Sequence, residues 1–287
     1  MARKRGCLGG CLRFVLLFLL IVIGLPVYMY FETRSLTTQE TIVRLDDLPA
    51  ALDGITIAYA GDFHGGVFRS RNNIAKAVDA INDLDADIIL LGGDYVSNDI
   101  GADEWVYPEL GRLSAPLGVY AVAGNHDVAE SQTRMKDGMA SAGIVYLENG
   151  SVDIAQNGAS FTLIGAGSGR IGRENLTKAI AATPERSLAI FLAHDPQVLL
   201  DVIADGGARH LDLSLAAHTH GGQLSLFGFY YVTDVKLLFP RPIRHDMVRG
   251  WSTQNGVTHL TTRGVGETIP FRFLSPPEIH LITLKLP

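Results

Sequence analysis

Residues 55–66 read ITIAYAGDFHGG, an apolar run of strand type that passes directly into a polar loop rich in glycine. The loop carries an alternating pair of possible metal ligands, Asp62 and His64. The following segment, 73–84, has apolar residues at the spacing of an amphipathic helix. A strand, a loop with reactive side chains and a helix, in this order, are typical of an α/β fold, which gathers functional groups at the carboxyl ends of its strands.

The same pattern of an apolar strand followed by a polar cluster occurs twice more in the first half of the chain. Residues 87–91 form a strand that ends in Gly92-Gly93-Asp94, and residues 118–122 form one that ends in Gly124-Asn125-His126-Asp127. Residues 103–113, between them, predict a helix. We therefore predict an α/β layer of parallel strands with polar clusters along one edge.

Further short strands are predicted on both sides of this region. They are expected at residues 41–45, 160–164, 188–192, 211–216, 257–262 and 279–284. Two of them lead into histidines, the first into Ala193-His194 and the second into Ala217-His218-Thr219-His220. The second half of the chain therefore adds reactive side chains in the same position relative to its strands.

Five clusters together hold seven residues that can bind a metal ion. These residues are Asp62, His64, Asp94, Asn125, His194, His218 and His220. Oxygen and imidazole ligands without a thiolate suit Mn²⁺, Fe, Zn²⁺ or Mg²⁺. A carboxylate between two such groups can bridge two ions about 3.5–4 Å apart. The pattern therefore predicts two divalent metal ions per chain, of unassigned identity.

Each cluster taken singly has an ordinary structural interpretation. An Asp-x-His pair is common in surface loops, His194 alone is typical of a hydrogen-bonded core histidine, and a Gly-Asp pair is usual in turns. The conjunction favours a metal site, because all five clusters lie next to predicted strand ends and carry small residues that permit close backbone approach.

These motifs resemble those of the calcineurin-like metallophosphoesterases, written GDxH, GDxx, GNHD/E, a lone H and GHxH. The sequence is most similar to a bacterial membrane-associated branch related to UDP-2,3-diacylglucosamine pyrophosphatases. The matching stretches outside the first motifs are Ala115–Tyr120, His218–Gln223 and Pro270–Arg272. Two positions depart from the pattern, since Ala217 stands where glycine is usual and Phe63 where leucine is frequent. Neither change removes a ligand.

The resemblance implies a four-layer αββα sandwich with the metals at the strand ends. It implies that Asp62, His64 and His220 hold one ion, that Asn125, His194 and His218 hold the other, and that Asp94 bridges them. It also implies that His126 lies beside the phosphate as a general acid or electrostatic stabiliser, with Asp127 orienting it.

The chemistry also follows from the residues. Two divalent ions lower the pKa of a water molecule and neutralise phosphate oxygens. The leaving oxygen then needs a proton or a positive charge, which His126 can provide. Asp127 is expected to fix the tautomer of the His126 imidazole. The alternative for His126 is a packing role alone.

For several other polar and aromatic residues the sequence allows more than one role. Arg263 and Arg272 flank a Gly264-Val265-Gly266 loop and either bind phosphate as bidentate donors or lie solvated on the surface. Asp195 is expected in a turn or beside a ligand. A run at 224–240 holds five aromatic residues, which suit core packing, an acyl substrate or the bilayer surface. Histidines outside the motifs, expected to be structural or exposed, are His210, His245, His259 and His280.

Composition limits the class of protein. The chain of 287 residues is 47% hydrophobic and 19% charged, which suits a folded enzyme rather than a disordered chain. The net charge of -6 and the absence of a basic track argue against nucleic acid as a partner. No feature indicates a protein partner. Both cysteines, Cys7 and Cys11, precede the apolar segment, so no disulfide joins parts of the catalytic region.

Residues 14–31 form an apolar segment of eighteen residues without a charge. As a helix it is about 27 Å long, enough to cross a bilayer. We therefore divide the chain into a basic N-terminus with a membrane anchor, 1–31, and a metallophosphoesterase domain, 32–287. A cleaved signal peptide and, because of Gly24 and Pro26, a helix that inserts without crossing are the alternatives.

The leading interpretation is hydrolysis of a phosphoric ester or anhydride on a membrane lipid such as UDP-2,3-diacylglucosamine, in lipid A biosynthesis. An exported phosphodiesterase acting on soluble substrates is the second, and a non-catalytic membrane scaffold the third. The expected location is the inner membrane. Basic residues before the apolar segment place the domain outside the cytoplasm, whereas the lipid A interpretation requires the cytoplasmic face.

Overall fold

The computed structural model describes residues 3–97, 101–167, 173–184, 187–230 and 243–287. In these ranges the helices are α1 (Arg3–Leu19), α2 (Leu25–Glu32), α3 (Arg71–Asn82), α4 (Asp103–Leu110), α5 (Asn125–Ser141), α6 (Arg173–Ala182) and α7 (Gln197–Ala204). A π-helical turn, Leu20–Gly24, joins α1 to α2. Short 3₁₀ turns lie at Ala50–Leu52, Gly207–His210, His220–Gly222 and His245–Met247.

The strands pair into two large sheets and two short ribbons. In chain order they are β1 (Thr37–Arg44), β2 (Thr56–Ala60), β3 (Gly65–Gly66), β4 (Ile88–Leu91), β5 (Val96–Ser97), β6 (Val119–Ala121), β7 (Val145–Tyr146), β8 (Gly150–Gln156), β9 (Ala159–Gly165), β10 (Ala189–Leu192), β11 (Leu213–Ala216), β12 (Ser225–Leu226), β13 (Phe229–Tyr230), β14 (Gly250–Gln254), β15 (Val257–Thr261) and β16 (Glu278–Lys285).

The first sheet has the order β1-β16-β2-β4-β6-β7, and the second has the order β14-β15-β11-β10-β9-β8. Strands β2, β4 and β6 run parallel in the first sheet, and β9, β10, β11 and β15 run parallel in the second. The carboxyl ends of parallel strands meet at one edge of their sheet. The polar clusters that follow β2, β4, β6, β10 and β11 are thereby brought to the same end of the molecule.

Three apolar cores fix the order of the layers. Alternate residues of β2 divide between two of them, with Ile57 and Tyr59 facing the second sheet and Ala58 and Ala60 facing α3, α4 and α5. A third core lies between the far face of the second sheet and helices α6 and α7. The molecule is therefore the αββα sandwich that the family resemblance implies.

Helix α3 shows why the first outer layer forms. Its apolar residues Ile74, Ala77, Val78 and Ile81 recur at helical spacing, and all four are buried against the first sheet. Burial of each large side chain contributes about 1.5–3 kcal/mol. An acidic substitution at Ile74 would place an unpaired charge in this core.

The predicted strands of the two sheets are present, with small shifts at their ends. Strand β1 begins at Thr37, four residues before the predicted start, and α4 ends at Leu110 rather than residue 113. Helices α5, α6 and α7 and the edge strands β8 and β14 were not predicted. Strand β8 is paired on one side only, and most of its residues are polar or exposed, so it lacks the apolar run of a central strand.

One helical segment, Arg13–Glu32, is long and apolar enough to cross a membrane, and its apolar stretch is not buried in the protein. Its carboxyl-terminal end contacts the domain, where Glu32 and Thr33 are buried. The described part of the chain therefore contains one candidate membrane anchor. The division of the chain at residues 31 and 32 stays a prediction.

Candidate metal centre

All seven candidate ligands converge at the shared end of the two sheets. His64 and Asp94 come from the first sheet, and His194, His218 and His220 from the second. Three groups have ligand atoms within 4.8 Å of one another: Asp62, His64 and His220; His64, Asp94 and His126; and Asp94, His194 and His218. The structure thus brings together the two ligand sets that the sequence suggested.

Asp94 lies between the two sets. Its Oδ2 atom is 3.5 Å from His64 Nε2 and 3.2 Å from His194 Nε2. His64 Nε2 is in turn 3.1 Å from His220 Nε2 on one side. On the other, His194 Nε2 is 3.1 Å from both Asn125 Oδ1 and His218 Nδ1. This arrangement supports a bridging role for Asp94.

The loops that carry these residues have an unusual backbone. Asp62, His64, Asp94, His218 and His220 all have positive φ, between 47° and 74°. Non-glycine residues rarely adopt this conformation because Cβ crowds the following carbonyl group, and such strain is concentrated at functional sites. Five of the seven candidate ligands are therefore held by the surrounding fold in a conformation that a free loop would avoid.

Two glycines allow the first-sheet loops to approach each other. A Cβ atom on Gly124 would lie 2.0 Å from Asp94 Oδ1, and one on Gly93 would lie 2.5 Å from the Gly124 nitrogen. Ala217, which departs from the family pattern, fits because glycine stands opposite it at positions 61 and 92. Phe63, the other departure, is buried against Tyr95.

The donor set fits divalent cations. Asp62, His64, Asp94, His194 and His220 are buried, and Asp62 Oδ2 has no hydrogen-bond partner. A buried carboxylate oxygen without a partner is costly unless a cation satisfies it. Asn125 is exposed and His218 is half-buried, so the second ligand set forms the open side of the centre.

In the protein alone, burial shifts the pKa values of several candidate ligands toward their neutral forms. Burial raises the pKa of Asp62 to about 7, opposed by His194 and reinforced by Asp94. Burial lowers the pKa of His64 to about 3 and also lowers those of His218 and His220. These histidines therefore tend to be neutral, the form that binds a metal ion.

In the protein alone, Asp94 and His194 stabilise each other's charged forms, and His194 would release its proton on binding a metal ion. Burial opposes the charged form of both, but the charge and hydrogen bond that each gives the other prevail. The pKa of Asp94 is well below its usual range, and that of His194 is raised to about 10. Asp94 is therefore the permanent negative charge at the middle of the centre.

Two histidines are oriented by main-chain carbonyl groups. His194 Nδ1 donates to the Gly92 oxygen at 2.8 Å, and His220 Nδ1 donates to the Gly266 oxygen at 3.1 Å. In each case the other ring nitrogen, Nε2, faces the remaining candidate ligands. Such contacts are the usual way in which a protein orients a metal-binding imidazole.

His126 lies at the open side of the centre. Its ring centroid is 4.9 Å from that of His64, its side chain is half-buried, and its N–H donates to Asp94 Oδ1 at 2.8 Å. The side chain is thus beside the candidate ligands and accessible from outside. Its role as a general acid stays a prediction.

Asp127 does not orient the His126 imidazole, so that interpretation is wrong. One carboxylate oxygen accepts the N–H groups of Gly124 and Asp94, and the other accepts those of Tyr95 and Val96. Burial raises the pKa of Asp127 to about 7, with a contribution from Asp94. The geometry arises because Asp127 occupies the third position of α5, where a carboxylate turns back to the N-terminus of its own helix. Asp127 therefore holds two ligand loops together.

Arg272 is also misplaced by the sequence interpretation. Its side chain is fully buried, and its guanidinium donates to the carbonyl groups of His220, Arg263, Gly264, Gly266 and Ser275. These contacts leave it unable to act as a bidentate phosphate ligand, so it supports the loops behind the candidate ligands.

Arg263 is bound to Glu278 rather than placed free at the centre. Its Nε donates to Glu278 Oε2 at 2.7 Å, and Nη2 forms an ion pair with the same carboxylate. The phosphate-binding interpretation therefore has no support for Arg263. The sequence missed the partners of both arginines because main-chain carbonyl groups carry no residue-type signal and Glu278 lies outside any local repeat with Arg263.

The remaining candidates have local roles. Asp195 accepts the Gln197 N–H in a turn, and His259 is buried between the hydroxyls of Ser214 and Thr261. His210 contacts the Thr183 carbonyl group, His280 is buried 3.2 Å from Glu278, and His245 is exposed beside Tyr230. In the aromatic run, Tyr231 and Phe239 lie outside the described residues.

Sequence reasoning missed a buried ion pair beside the centre. Arg69 Nη1 lies 3.4 Å from Glu267 Oε2, next to Gly266, whose carbonyl group orients His220. Neither residue belongs to a recognisable motif, and each is separated from its partner by nearly two hundred residues.

Comparison with known proteins agrees with this geometry. The family described as calcineurin-like phosphoesterase matches residues 55–222, which include every candidate ligand. The uncharacterized metallophosphoesterase YkuE of Bacillus subtilis is 27% identical over 89% of this chain and 88% of its own length.

The names of two further relatives state an activity or a membrane location for those proteins. The phosphodiesterase YaeI of Escherichia coli is 30% identical over 79% of this chain and 81% of its own. A zebrafish protein named as a transmembrane protein with metallophosphoesterase domain is 24% identical over 96% of this chain and 64% of its own.

Proposed function

The chain belongs to the calcineurin-like phosphoesterase family, and from that premise we propose that it hydrolyses a phosphodiester or phosphoanhydride bond in the headgroup of a membrane lipid. It is a metal-dependent hydrolase of phosphoester bonds, and its family uses two divalent metal ions. The lipid class of the substrate is the new element of the proposal.

One relationship carries the proposal, namely the short connection between the apolar helix and the candidate ligands. The Arg272 N–H donates to the Met29 carbonyl group at 3.1 Å, and the Arg272 guanidinium donates to the His220 carbonyl group. A single residue thus contacts both the end of the helix and a candidate ligand. A substrate that stays in the membrane would therefore lie close to the candidate metal ligands.

The packing of the helix end favours a retained anchor over a cleaved signal peptide. Arg69 donates to the Thr33 carbonyl group at 2.7 Å, and the Tyr28 ring packs edge-on against Phe273 at 6.0 Å between centroids. Cleavage after the apolar segment would remove Tyr28 and the acceptor at Met29. The name of the zebrafish relative is consistent with an anchor.

The residues at the centre have distinct proposed tasks. When bound, the two ions supply the positive charge and activated water for attack on phosphorus. Asp94 keeps the two ligand sets at a fixed separation. His126, on the open side, donates a proton or a positive field to the leaving oxygen. Asp127 keeps the loops of Asp94 and His126 in register.

The specific substrate that we propose is UDP-2,3-diacylglucosamine, which places the protein in lipid A biosynthesis at the inner membrane. This substrate requires the domain to face the cytoplasm. The basic residues Arg3, Lys4, Arg5 and Arg13 favour the opposite orientation. Protection of the domain from protease added outside the inner membrane would support the proposed substrate, and digestion would exclude it.

A second candidate is a phosphodiesterase of broad specificity that acts on soluble substrates outside the cytoplasm. The charge distribution at the N-terminus favours it.

The test uses the full-length protein in phospholipid vesicles with Mn²⁺. Uridine monophosphate released from the diacyl nucleotide sugar is compared with turnover of bis(p-nitrophenyl) phosphate, and Asp94→Asn serves as the control for contaminating phosphatases. Release that depends on Asp94 supports the lipid substrate. Turnover of the soluble diester alone supports the second candidate, and turnover of neither overturns both.

A further inference from the structure

Two loops contact the end of the apolar helix, and a third is joined to one of them. The first, 66–69, contacts it through the hydrogen bond from Arg69 to the Thr33 carbonyl group. The second, 267–274, contacts it through Arg272 and Phe273. The third, 223–229, is joined to the second. The Ser225 N–H donates to the Phe273 carbonyl group, the Phe273 N–H donates to the Gln223 carbonyl group, and the Gln223 side chain donates to the Ile269 and Phe271 carbonyl groups.

Each of these loops exposes large apolar side chains. We call these exposed side chains the apolar collar. Its members are Val67, Phe68, Leu226, Phe227, Phe229, Ile269 and Leu274. Scattered apolar residues are ordinary on a protein surface, but a group drawn from three loops around one point marks an interaction surface.

Phe227 is the most informative member. It is 98% exposed at the tip of the β12–β13 hairpin, where Phe227 and Gly228 form a two-residue turn with φ of 46° and 85°. Such turns strongly favour asparagine, aspartate or glycine, because bulky residues are strained at positive φ. In water, a phenylalanine at this position both strains the backbone and exposes an apolar ring to solvent.

The partner follows from continuity with the helix. Lipid surrounding the apolar helix must begin where that helix meets the domain, and the collar lies at this junction. Arg34, exposed next to the collar, stacks on the Tyr30 ring at 3.8 Å, a pairing suited to the interface between lipid and water. A bilayer surface satisfies both the apolar side chains and this charge.

We propose that the apolar collar inserts into the headgroup region of the bilayer and holds the end of the domain that carries the metal centre against the membrane surface. The inference rests on the membrane anchor in the proposed function, and it names the surface through which a lipid headgroup would reach the centre. The collar loops are attached directly to the candidate ligands, because Gly266 binds His220 and His64 is two residues before Gly66.

Insertion can be measured without any assay of activity. The full-length protein is placed in vesicles of phosphatidylethanolamine and phosphatidylglycerol with brominated acyl chains, which quench nearby tryptophan fluorescence. Phe227→Trp and Val67→Trp each add one tryptophan to the native Trp105 and Trp251. The matched control is Ile42→Trp, since Ile42 is 62% exposed and pairs with Thr283 at the opposite end of the first sheet.

We expect the added tryptophans in the two collar variants to be quenched at least twofold more than the one in Ile42→Trp. Equal quenching in all three variants overturns the proposal. A second arm uses Phe227→Asp, which should reduce hydrolysis of UDP-2,3-diacylglucosamine in vesicles about tenfold and leave soluble bis(p-nitrophenyl) phosphate turnover unchanged. Equal loss on both substrates contradicts the collar. Quenching without any lipid hydrolysis refutes the proposed substrate but keeps the membrane contact.

Discussion

The carboxylate of Asp127 accepts the main-chain N–H of Asp94 at 2.8 Å, so that a residue at the start of α5 holds the central carboxylate of the metal centre in place. The same carboxylate binds the N–H groups of Gly124, Tyr95 and Val96. The two loops therefore depend on one buried side chain.

Asp127→Asn should destabilise the protein by roughly 2–4 kcal/mol, because the amide nitrogen of asparagine faces main-chain donors that it cannot satisfy. Metal affinity should fall with stability. Urea unfolding and metal titration measure the two effects, with Asp137→Asn, an exposed change on the same helix, as the control. Unchanged stability with loss of rate only for poor leaving groups would restore the idea that Asp127 orients His126.

Asp94→Asn should lower the content of both metal ions and abolish turnover, because one charge serves the two ligand sets. The fold should persist, since the cores lie below the loops. Metal analysis and circular dichroism provide the measurements. Asp195→Asn is the matched control, because that carboxylate closes a turn beside the centre and is not a candidate ligand. Full occupancy and a normal rate in Asp94→Asn would refute the bridging role.

His126→Ala should keep both ions and lose a factor of about 10²–10⁴ in rate for substrates with poor leaving groups. A leaving group that departs without a proton should be affected much less. A series of aryl phosphodiesters of increasing leaving-group pKa tests this slope. Losses of equal size across the series would indicate an electrostatic role instead.

Arg272→Lys should destabilise the protein by about 3–5 kcal/mol, because a single ammonium group cannot replace the guanidinium contacts to five carbonyl groups. Thermal unfolding of the metal-loaded protein measures the effect. A raised KM with unchanged thermal stability would mean that Arg272 binds phosphate after all.

Asp212, which lies far from the metal centre, should make the free energy of unfolding depend on pH. Burial raises its folded pKa to about 6, against the hydrogen bond from Ala189 and with help from Asp46 and Asp47. The bound proton therefore stabilises the folded state below the unfolded pKa of about 3.9, and this contribution is lost as the pH rises through 6.

Asp212→Asn should gain roughly 1–2 kcal/mol relative to the wild type between pH 4 and pH 7, after allowance for screening by water. Unfolding at several pH values checks the sign. A difference that is constant across this range would show that the folded pKa is not raised.

Much of the architecture is readable in the sequence because its signals are local. The central strands are short apolar runs, and helix α3 carries its apolar residues at helical spacing. Edge strands such as β8 lack that signal, since they are paired on one side and mostly polar. Helix α5 was missed because its first turn coincides with the Gly-Asn-His-Asp motif.

The sequence by itself determined the ligand chemistry and the presence of a candidate anchor, since both depend on residue type and spacing. Only the tertiary structure decided the tasks of Asp127, Arg263 and Arg272, because their partners are main-chain groups, or a carboxylate outside any helical or strand repeat, which residue type and spacing do not reveal. The same holds for the position of Asp94 between His64 and His194. It holds also for the collar, which exists only because three separate loops meet at the end of one helix.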